Sequence, residues 1–460
     1  MVTLRWSLTG LIFLLFLLQS EALFTEEYPW FCKSDEAVGP CKDRYASLDY
    51  FNNHKVYGLV QKLLQSDFFK FYKVNMARPC PFWPDERECS SRECGIEHCD
   101  EEVPEALRRP SSVVSVLEAD EEPSAPCVPS NQFDPLDLSL SDTDKAQLAE
   151  MENFEDSSDR FCDVEDDDSN DLHYVNLLKN PERYTGYKGQ SAQKVWMSIY
   201  RENCFKPDPR FDKDFLLHPT TTGMCLEKRV FHKLISGLHS AITISIASYN
   251  YKPAVGGFGS GTWFRNIEMF KNRFGDKWGP EGPERLMNVY FVYLLELRAI
   301  VKAAPYLQAE LFYTGNEEED LKIKKTIEEL IQICEKYESH FDETKLFKGV
   351  DSQARLLREE FRQHFLNISR IMDCVGCDKC RLWGKLQTHG MGTALKILFS
   401  DLPHSETRSV LSGRATIPFK LSRNEVVALI QSFGRYSSAI FEIDEFRRAM
   451  GIGLPQKTEL

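Results

Sequence analysis

The feature that most constrains this 460-residue chain is its cysteine layout. Fourteen cysteines lie in close clusters and spaced pairs. The N-terminus places them in an oxidising compartment. Arg5 precedes an apolar run from Leu11 to Leu18, and Ser20 and Ala22 follow at the small-residue positions of a cleavage site. This is the layout of a secretory signal peptide over residues 1–22. Thiols in such a compartment are mostly paired. A chain of this length, with 42% hydrophobic residues, can nevertheless bury a large core without so many staples. Some of the cysteines are therefore expected to do chemistry.

The strongest local pattern is Cys374-Val-Gly-Cys377-Asp-Lys-Cys380, in which two C-x-x-C spacings overlap. A C-x-x-C pair closes a small ring and its thiolates are often stabilised, which suits reversible redox work. A zinc site commonly wants four ligands in two spaced pairs. The second cluster has a different spacing and lies far away, so no metal is expected. Purely structural bridges remain an alternative, and spacing alone does not say whether Cys374 or Cys380 partners Cys377. That second cluster, Cys89-Ser-Ser-Arg-Glu-Cys94-Gly-Ile-Glu-His-Cys99, repeats C-x4-C twice. Overlapping partners invite exchange, because a thiolate beside a disulfide can attack it.

Charge separates one segment from the rest. Residues 100–171 hold 23 Asp and Glu against 4 Lys and Arg, whereas the remainder is slightly basic at a net +5. Residues 100–172 thus read as a flexible acidic excursion, and it carries Cys127. No basic block with interleaved aromatics appears, which disfavours nucleic acid as a partner. Beyond the N-terminus, the most apolar candidate, around Val289 to Ala304, is interrupted by Glu296 and Arg298, so no span of a bilayer is expected.

The fold expected is mainly α. Leu286, Val289, Tyr290, Tyr293, Leu294 and Leu297 fall at helical spacing, with Pro305 ending the run. Leu357, Phe361, Phe365, Ile368 and Ile371 form a second stripe that leads into Cys374, and a further helix is predicted over Gly392 to Phe399. Ser422 to Glu425 is a capping box. Gly256 to Gly261 reads as a loop without dinucleotide-fingerprint spacing. A flavin would need aromatic faces and cations. Trp196, Trp263 and Trp278, with Arg183, Arg265, Arg273 and Arg285, are candidates that composition does not rank.

Read together, RPCPFW (Arg78 to Trp83), NPERYTGYKG (Asn180 to Gly189), ENCFKP ending at Pro207, LISGLH (Leu234 to His239), NVYFVYLLELRA (Asn288 to Ala299) and RIMDCVGCDKCRLWGKLQTHGMGTALKILFS (Arg370 to Ser400) resemble the endoplasmic reticulum oxidoreductins, the Ero sulfhydryl oxidases. The resemblance runs from about Cys32 to the final helix. It implies one large helical FAD-binding domain over 23–455, with a cysteine-rich N-terminal region and the acidic segment as a regulatory insert. It implies catalysis by Cys89 and Cys94, an outer shuttle pair serving protein disulfide isomerase and related thioredoxin-like proteins, and by Cys377 and Cys380, an inner pair beside FAD. It also implies oxygen as acceptor, giving hydrogen peroxide. Cys99 and Cys127 resemble regulatory partners that lock the shuttle as Cys94–Cys99 and Cys89–Cys127. Structural bridges would be Cys80–Cys374, Cys204–Cys225 and Cys32–Cys41; Cys162 and Cys334 have no implied partner. For the cofactor the resemblance selects Arg183, Thr185, Trp196, Ser236, His239, Arg273 and Arg285.

Some relatives flank Cys32–Cys41 with a second bridge, where this chain has Trp30 and Asp43. Asn367-Ile368-Ser369 fits a glycosylation acceptor. Lys457-Thr458-Glu459-Leu460 is one letter from a retrieval signal of the endoplasmic reticulum. The expected location is the lumen of that compartment, with peripheral contact to the lumenal membrane face admitted. The rival reading is a non-catalytic, disulfide-rich lumenal binding or chaperone-like protein.

Overall fold

Helix Arg423–Ala449 carries buried residues on nearly every side, from Asn424 to Arg447. A helix buried on nearly every side sits inside the fold, its polar positions needing partners there, and this one is the axis of the computed structural model. The structure describes residues 45–84, 94–108, 160–163, 169–182, 189–202, 226–252, 261–275, 281–337, 343, 346–347, 351–400, 419 and 421–451. The leader, the C-terminal tail, most of the acidic segment, Trp278, Arg183 and Thr185 lie outside these residues. So do Cys32, Cys41, Cys89, Cys127, Cys204 and Cys225.

In chain order the helices are α1 (Tyr45–Phe51), α2 (Tyr57–Leu64) after a π-turn at Asn52–Val56, α3 (Asp67–Lys70), α4 (Gly189–Glu202), α5 (Leu226–Ser248), α6 (Ile267–Phe274), α7 (Glu281–Lys302), α8 (Ala304–Ala309), α9 (Glu317–Glu335), α10 (Asp351–Ile371), α11 (Asp378–Leu398) and α12 (Arg423–Ala449). The described residues are mainly α, as the sequence predicts. Helix α12 packs against α11, α7, α2 and α5. Its start is fixed by the capping box: Ser422 accepts from the Glu425 amide at 3.2 Å, and Glu425 accepts from the Ser422 amide at 2.8 Å. Helix α7 covers the predicted stripe, and Pro305 sits in the first turn of the short α8 that follows.

Two small antiparallel sheets supplement the helices. Strand β1 (Phe71–Val74) pairs with β2 (His173–Asn176), with Phe71 opposite Asn176 and Val74 opposite His173. A bridge between His98 and Val175 lays the segment after Cys94 along β2. Strands β3 (Asn250–Lys252) and β4 (Thr262–Phe264) flank the glycine-rich segment read as a loop.

Two sequence expectations need correcting. The helix predicted to begin at Gly392 begins at Asp378, one residue after Cys377. Turn residues around the cysteines hid its first half. The stretch Glu227–Ser248 is also long and apolar enough by composition to cross a membrane, a property the sequence reading missed. It is mostly buried in the fold against α7, which accounts for its hydrophobicity.

Several polar groups inside this core are paired with one another. Glu296 accepts from Ser432 Oγ at 2.5 Å. Tyr290 donates to Asp49 at 2.7 Å, and Arg447 closes the same cluster with Asp49. Gly390 lets α11 approach α12 closely: a Cβ there would lie 2.3 Å from the Ala428 carbonyl and 2.4 Å from Ser432 Cβ. Gly390→Ala should cost about 1–3 kcal/mol and lower the melting temperature measured by circular dichroism. His389, the preceding residue, is buried with Nδ1 2.9 Å from the Tyr72 hydroxyl, and burial pushes its pKa down to about 4. The unfolded chain binds that proton near pH 6.5. His389 therefore supports folding above about pH 6.5 and withdraws that support as pH falls towards 4. Melting curves at pH 7 and pH 5 should show a smaller acid loss for His389→Gln than for the wild type.

Candidate redox and cofactor site

Cys374 is joined to Cys80 by a disulfide across 294 residues. That removes it from the overlapping C-x-x-C choice and leaves Cys377 with Cys380. An ion network brackets the bridge. Arg78 and Arg370 each reach Asp163 at 2.7 Å, and Asp373 is buried against Lys385, with Arg78 Nε 3.6 Å away. The end of the acidic segment is thus fastened beside the bridge.

Cys377 occupies the N-cap of α11. Its sulfur accepts from the Cys380 amide at 3.4 Å. Its pKa is held below the ordinary thiol value, chiefly by the hydrogen bond from the Cys380 side chain and also by backbone amides, although burial opposes this. An N-cap thiolate is the form that attacks a disulfide. The other thiols behave oppositely. Burial pushes Cys99 up to about 11 and Cys162 up to about 12, and it raises Cys334 further. Cys162 also contacts Ser369 Oγ at 3.1 Å. Cys162 and Cys334 have the character of inert buried thiols.

Cys377 and Cys380 are 2% and 1% exposed, out of reach of a protein substrate. Cys94, 3% exposed, packs beside both of them around Val375. The backbone fixes this placement: the Lys379 amide, in the first turn of α11, donates to the Cys94 carbonyl at 2.8 Å. Cys94 is disulfide-bonded, and its partner lies outside the described residues. Cys99 is a free thiol that donates to the Tyr174 carbonyl at 3.5 Å, so the Cys94–Cys99 bridge expected of a resting form is not made here. Among the described residues no cluster of metal-ligating side chains occurs.

A cavity of about 540 Å³ lies between α4, α5 and α6, lined by Trp196, His239, Thr243, Asn266, Met269 and Arg273 among others. The Trp196 and His239 rings stack at 3.8 Å and 13°. His239 Nδ1 accepts from the Tyr200 hydroxyl at 2.8 Å and from the Arg273 guanidinium at 3.1 Å. Burial, with Arg273 and Arg285 nearby, lowers the His239 pKa to about 3, so the ring stays neutral near pH 7. The outer faces of the stacked rings, a neutral imidazole and the Arg273 guanidinium fit a ligand that combines an aromatic ring system with a diphosphate, and Glu268 lines the same cavity. The size lies within the range of cofactor sites.

Trp196, His239 and Arg273 are therefore gathered at one place, with Arg285 close enough to act on His239 electrostatically. Ser236 is not in the cavity lining; it is buried and accepts from Asn288 at 3.0 Å between α5 and α7. Of the competing composition candidates, Arg265 pairs with Glu442 at 3.0 Å and Trp263 is exposed on β4. Tyr200 and Asn266 were missed. Asn266 caps α6 by accepting from the Met269 amide at 3.0 Å, and Asn before a helical stripe was the available signal. Asn367 is half-buried on α10 and its amide donates to Glu202 at 3.1 Å, a bond that a glycan at this nitrogen would replace.

A family model described as "Endoplasmic Reticulum Oxidoreductin 1 (ERO1)" matches residues 55–443. The chain is 61% identical over 432 residues to "Endoplasmic reticulum oxidoreductin-1" of Caenorhabditis elegans, covering 91% of this chain and 89% of that protein. It is 40% identical to "ERO1-like protein alpha" of Homo sapiens, covering 91% and 92% respectively. A solved structure of a double cysteine-to-alanine mutant of S. cerevisiae Ero1p aligns with a TM-score of 0.57 at 27% identity, over 88% of this chain and 98% of that one. With its helical core, its buried cysteine pair and the extent of these matches, the chain belongs to the ERO1 family of endoplasmic reticulum oxidoreductins and is a thiol oxidase.

Proposed function

We propose that this enzyme oxidises the dithiols of protein disulfide isomerase and related thioredoxin-like proteins in the lumen of the endoplasmic reticulum. The observation that carries the reading is the contact of Cys94 with the shielded Cys377 and Cys380 pair, anchored by the Lys379 amide. A buried pair cannot meet a protein substrate directly, so electrons need a carrier that reaches both sides. Cys89 and Cys94 supply it. A substrate thiolate attacks the Cys89–Cys94 disulfide, the second substrate thiol resolves the mixed disulfide, and the substrate leaves oxidised with two thiols left on the shuttle. The shuttle dithiol then reduces Cys377–Cys380 by the same exchange.

The cavity of Trp196, His239 and Arg273 would hold FAD, with Arg285 near His239, and the family resemblance adds Arg183 and Thr185 to the set. Bound there, FAD would supply an acceptor for the electron pair of the inner dithiol and a route for it to oxygen, with hydrogen peroxide as product. The protein's part is to keep His239 neutral, to offer cations to the diphosphate, and to ease ionisation of Cys377 by hydrogen bonds at the N-terminus of α11. Regulation follows if Cys99 captures Cys94 and Cys127 captures Cys89, because no shuttle disulfide then faces the substrate.

Purified full-length protein should be yellow, with flavin absorbance near about 450 nm. A colourless, folded preparation would sink the oxidase mechanism and favour a non-catalytic binding protein. Cys377→Ala and Cys380→Ala should each keep the colour but reduce oxygen consumption with reduced isomerase by at least roughly 10³-fold. Cys99→Ala combined with Cys127→Ala should raise turnover severalfold under mildly oxidising conditions. Unchanged oxygen uptake in that variant would count against the regulatory bridges.

A further inference from the structure

Asn180 is 1% exposed, and both polar atoms of its side chain bond to backbone groups. Its Oδ1 accepts from the Glu97 amide at 2.9 Å, and its Nδ2 donates to the Glu97 carbonyl at 3.0 Å and to the Asn176 carbonyl at 3.1 Å. A carboxamide so placed imitates one step of a β-ladder. Its own carbonyl accepts from Trp383 Nε1 at 2.8 Å. Trp383 stands one turn beyond Cys380 on α11, and Glu97 stands three residues beyond Cys94.

Asn180 thus joins the segment that carries Cys94 to the helix that carries Cys380. The other ties of this segment lie at its two ends. The Cys94 carbonyl takes the Lys379 amide, and the Cys99 amide donates to Tyr174 at 2.8 Å. Asn180 grips Glu97 through both polar atoms of its side chain. No sulfur takes part in it, so it holds whether Cys94 is oxidised or reduced.

We propose that Asn180 is a positioning residue for internal electron transfer: it holds the backbone after Cys94 so that the shuttle sulfur meets the Cys377–Cys380 disulfide. This deepens the shuttle reading above and rests on it. The step served is exchange. The Cys94 thiolate bonds to one inner sulfur, the inner disulfide breaks, and the electron pair remains on the other inner sulfur as thiolate. Attack by Cys89 then closes Cys89–Cys94 and leaves both inner sulfurs reduced. Asn180→Asp keeps the acceptor for the Glu97 amide but loses the donor and sets a carboxylate against two carbonyl oxygens. Asn180→Ala loses both halves of the clamp.

Two measurements on the full chain decide the matter. In anaerobic stopped-flow with reduced isomerase, the limiting rate of flavin bleaching should fall about tenfold or more in both variants, the scale of a buried hydrogen-bond pair lost. The half-saturating isomerase concentration should stay unchanged, because the clamp acts on transfer from Cys94 to the inner pair and not on the exchange between substrate and shuttle. In a Cys94→Ala background, bleaching by concentrated dithiothreitol should be indifferent to Asn180. Independently of any flavin, a Cys89→Ala, Cys99→Ala chain should form a mixed disulfide between Cys94 and an inner cysteine. Non-reducing peptide mapping should show its formation slowed by a similar factor in Asn180→Asp. Unchanged limiting rates and unchanged mixed-disulfide formation would overturn the proposal, as would equal slowing with dithiothreitol, which marks a general distortion. A wild type without flavin would overturn the oxidase reading alone, leaving the mixed-disulfide measurement to judge Asn180.

Discussion

The Cys80–Cys374 disulfide is the constraint on which the redox site depends. It closes a loop of almost three hundred residues. In the chain-entropy treatment such a cross-link, taken alone, stabilises by about 5 kcal/mol. Its greater consequence is positional. It pins the stretch before the shuttle to the turn before α11, and the Arg78, Asp163, Arg370 and Asp373 ion network reinforces that junction. With Cys374 spent on this bond, Cys377 becomes the helix cap and its sulfur collects amide hydrogen bonds. The same three-residue spacing that left the pairing open is thereby divided between one structural sulfur and two reactive ones.

Burial then sorts the thiols. Cys99, Cys162 and Cys334 are buried without a helix terminus to stabilise a thiolate, and their pKa values rise. Cys377 is also buried, but hydrogen bonds outweigh its desolvation. The contrast lies in local geometry rather than in exposure. Shielding the inner pair has a cost in access, and the β2 edge with its His98 bridge, the Asn180 clamp and the Lys379 amide together offset it by bringing Cys94 inward.

The helical core makes the cofactor cavity in a comparable way. Helix α5 passes along α7, and Gly237 permits the close approach, since a Cβ there would fall 2.5 Å from the Asn288 carbonyl. That crossing turns Ser236 towards Asn288 and leaves His239, one turn later, facing Trp196 and Arg273. Neighbouring positions of one short motif are thus separated in role by helical rotation.

Much of this was legible in the sequence. Apolar spacing announced α7 and α10, Ser422 and Glu425 announced the start of α12, and composition separated the acidic segment from the body. These are local properties, set by 3.6-residue periodicity and capping chemistry. The spacing at Cys374–Cys380 signalled redox chemistry, whereas only the family resemblance singled out His239. Spacing left open which cysteine of the triplet bridges to Cys80; the family resemblance implied Cys374 and the structure makes that bond. Tertiary structure alone decided that Cys94 lies against the inner pair and that Asn180 joins its segment to α11. It also decided that Arg265 is spent on Glu442 while Arg273 faces His239. Those outcomes depend on contacts between segments tens to hundreds of residues apart, and spacing along a chain carries no record of which distant groups will share a dry interior.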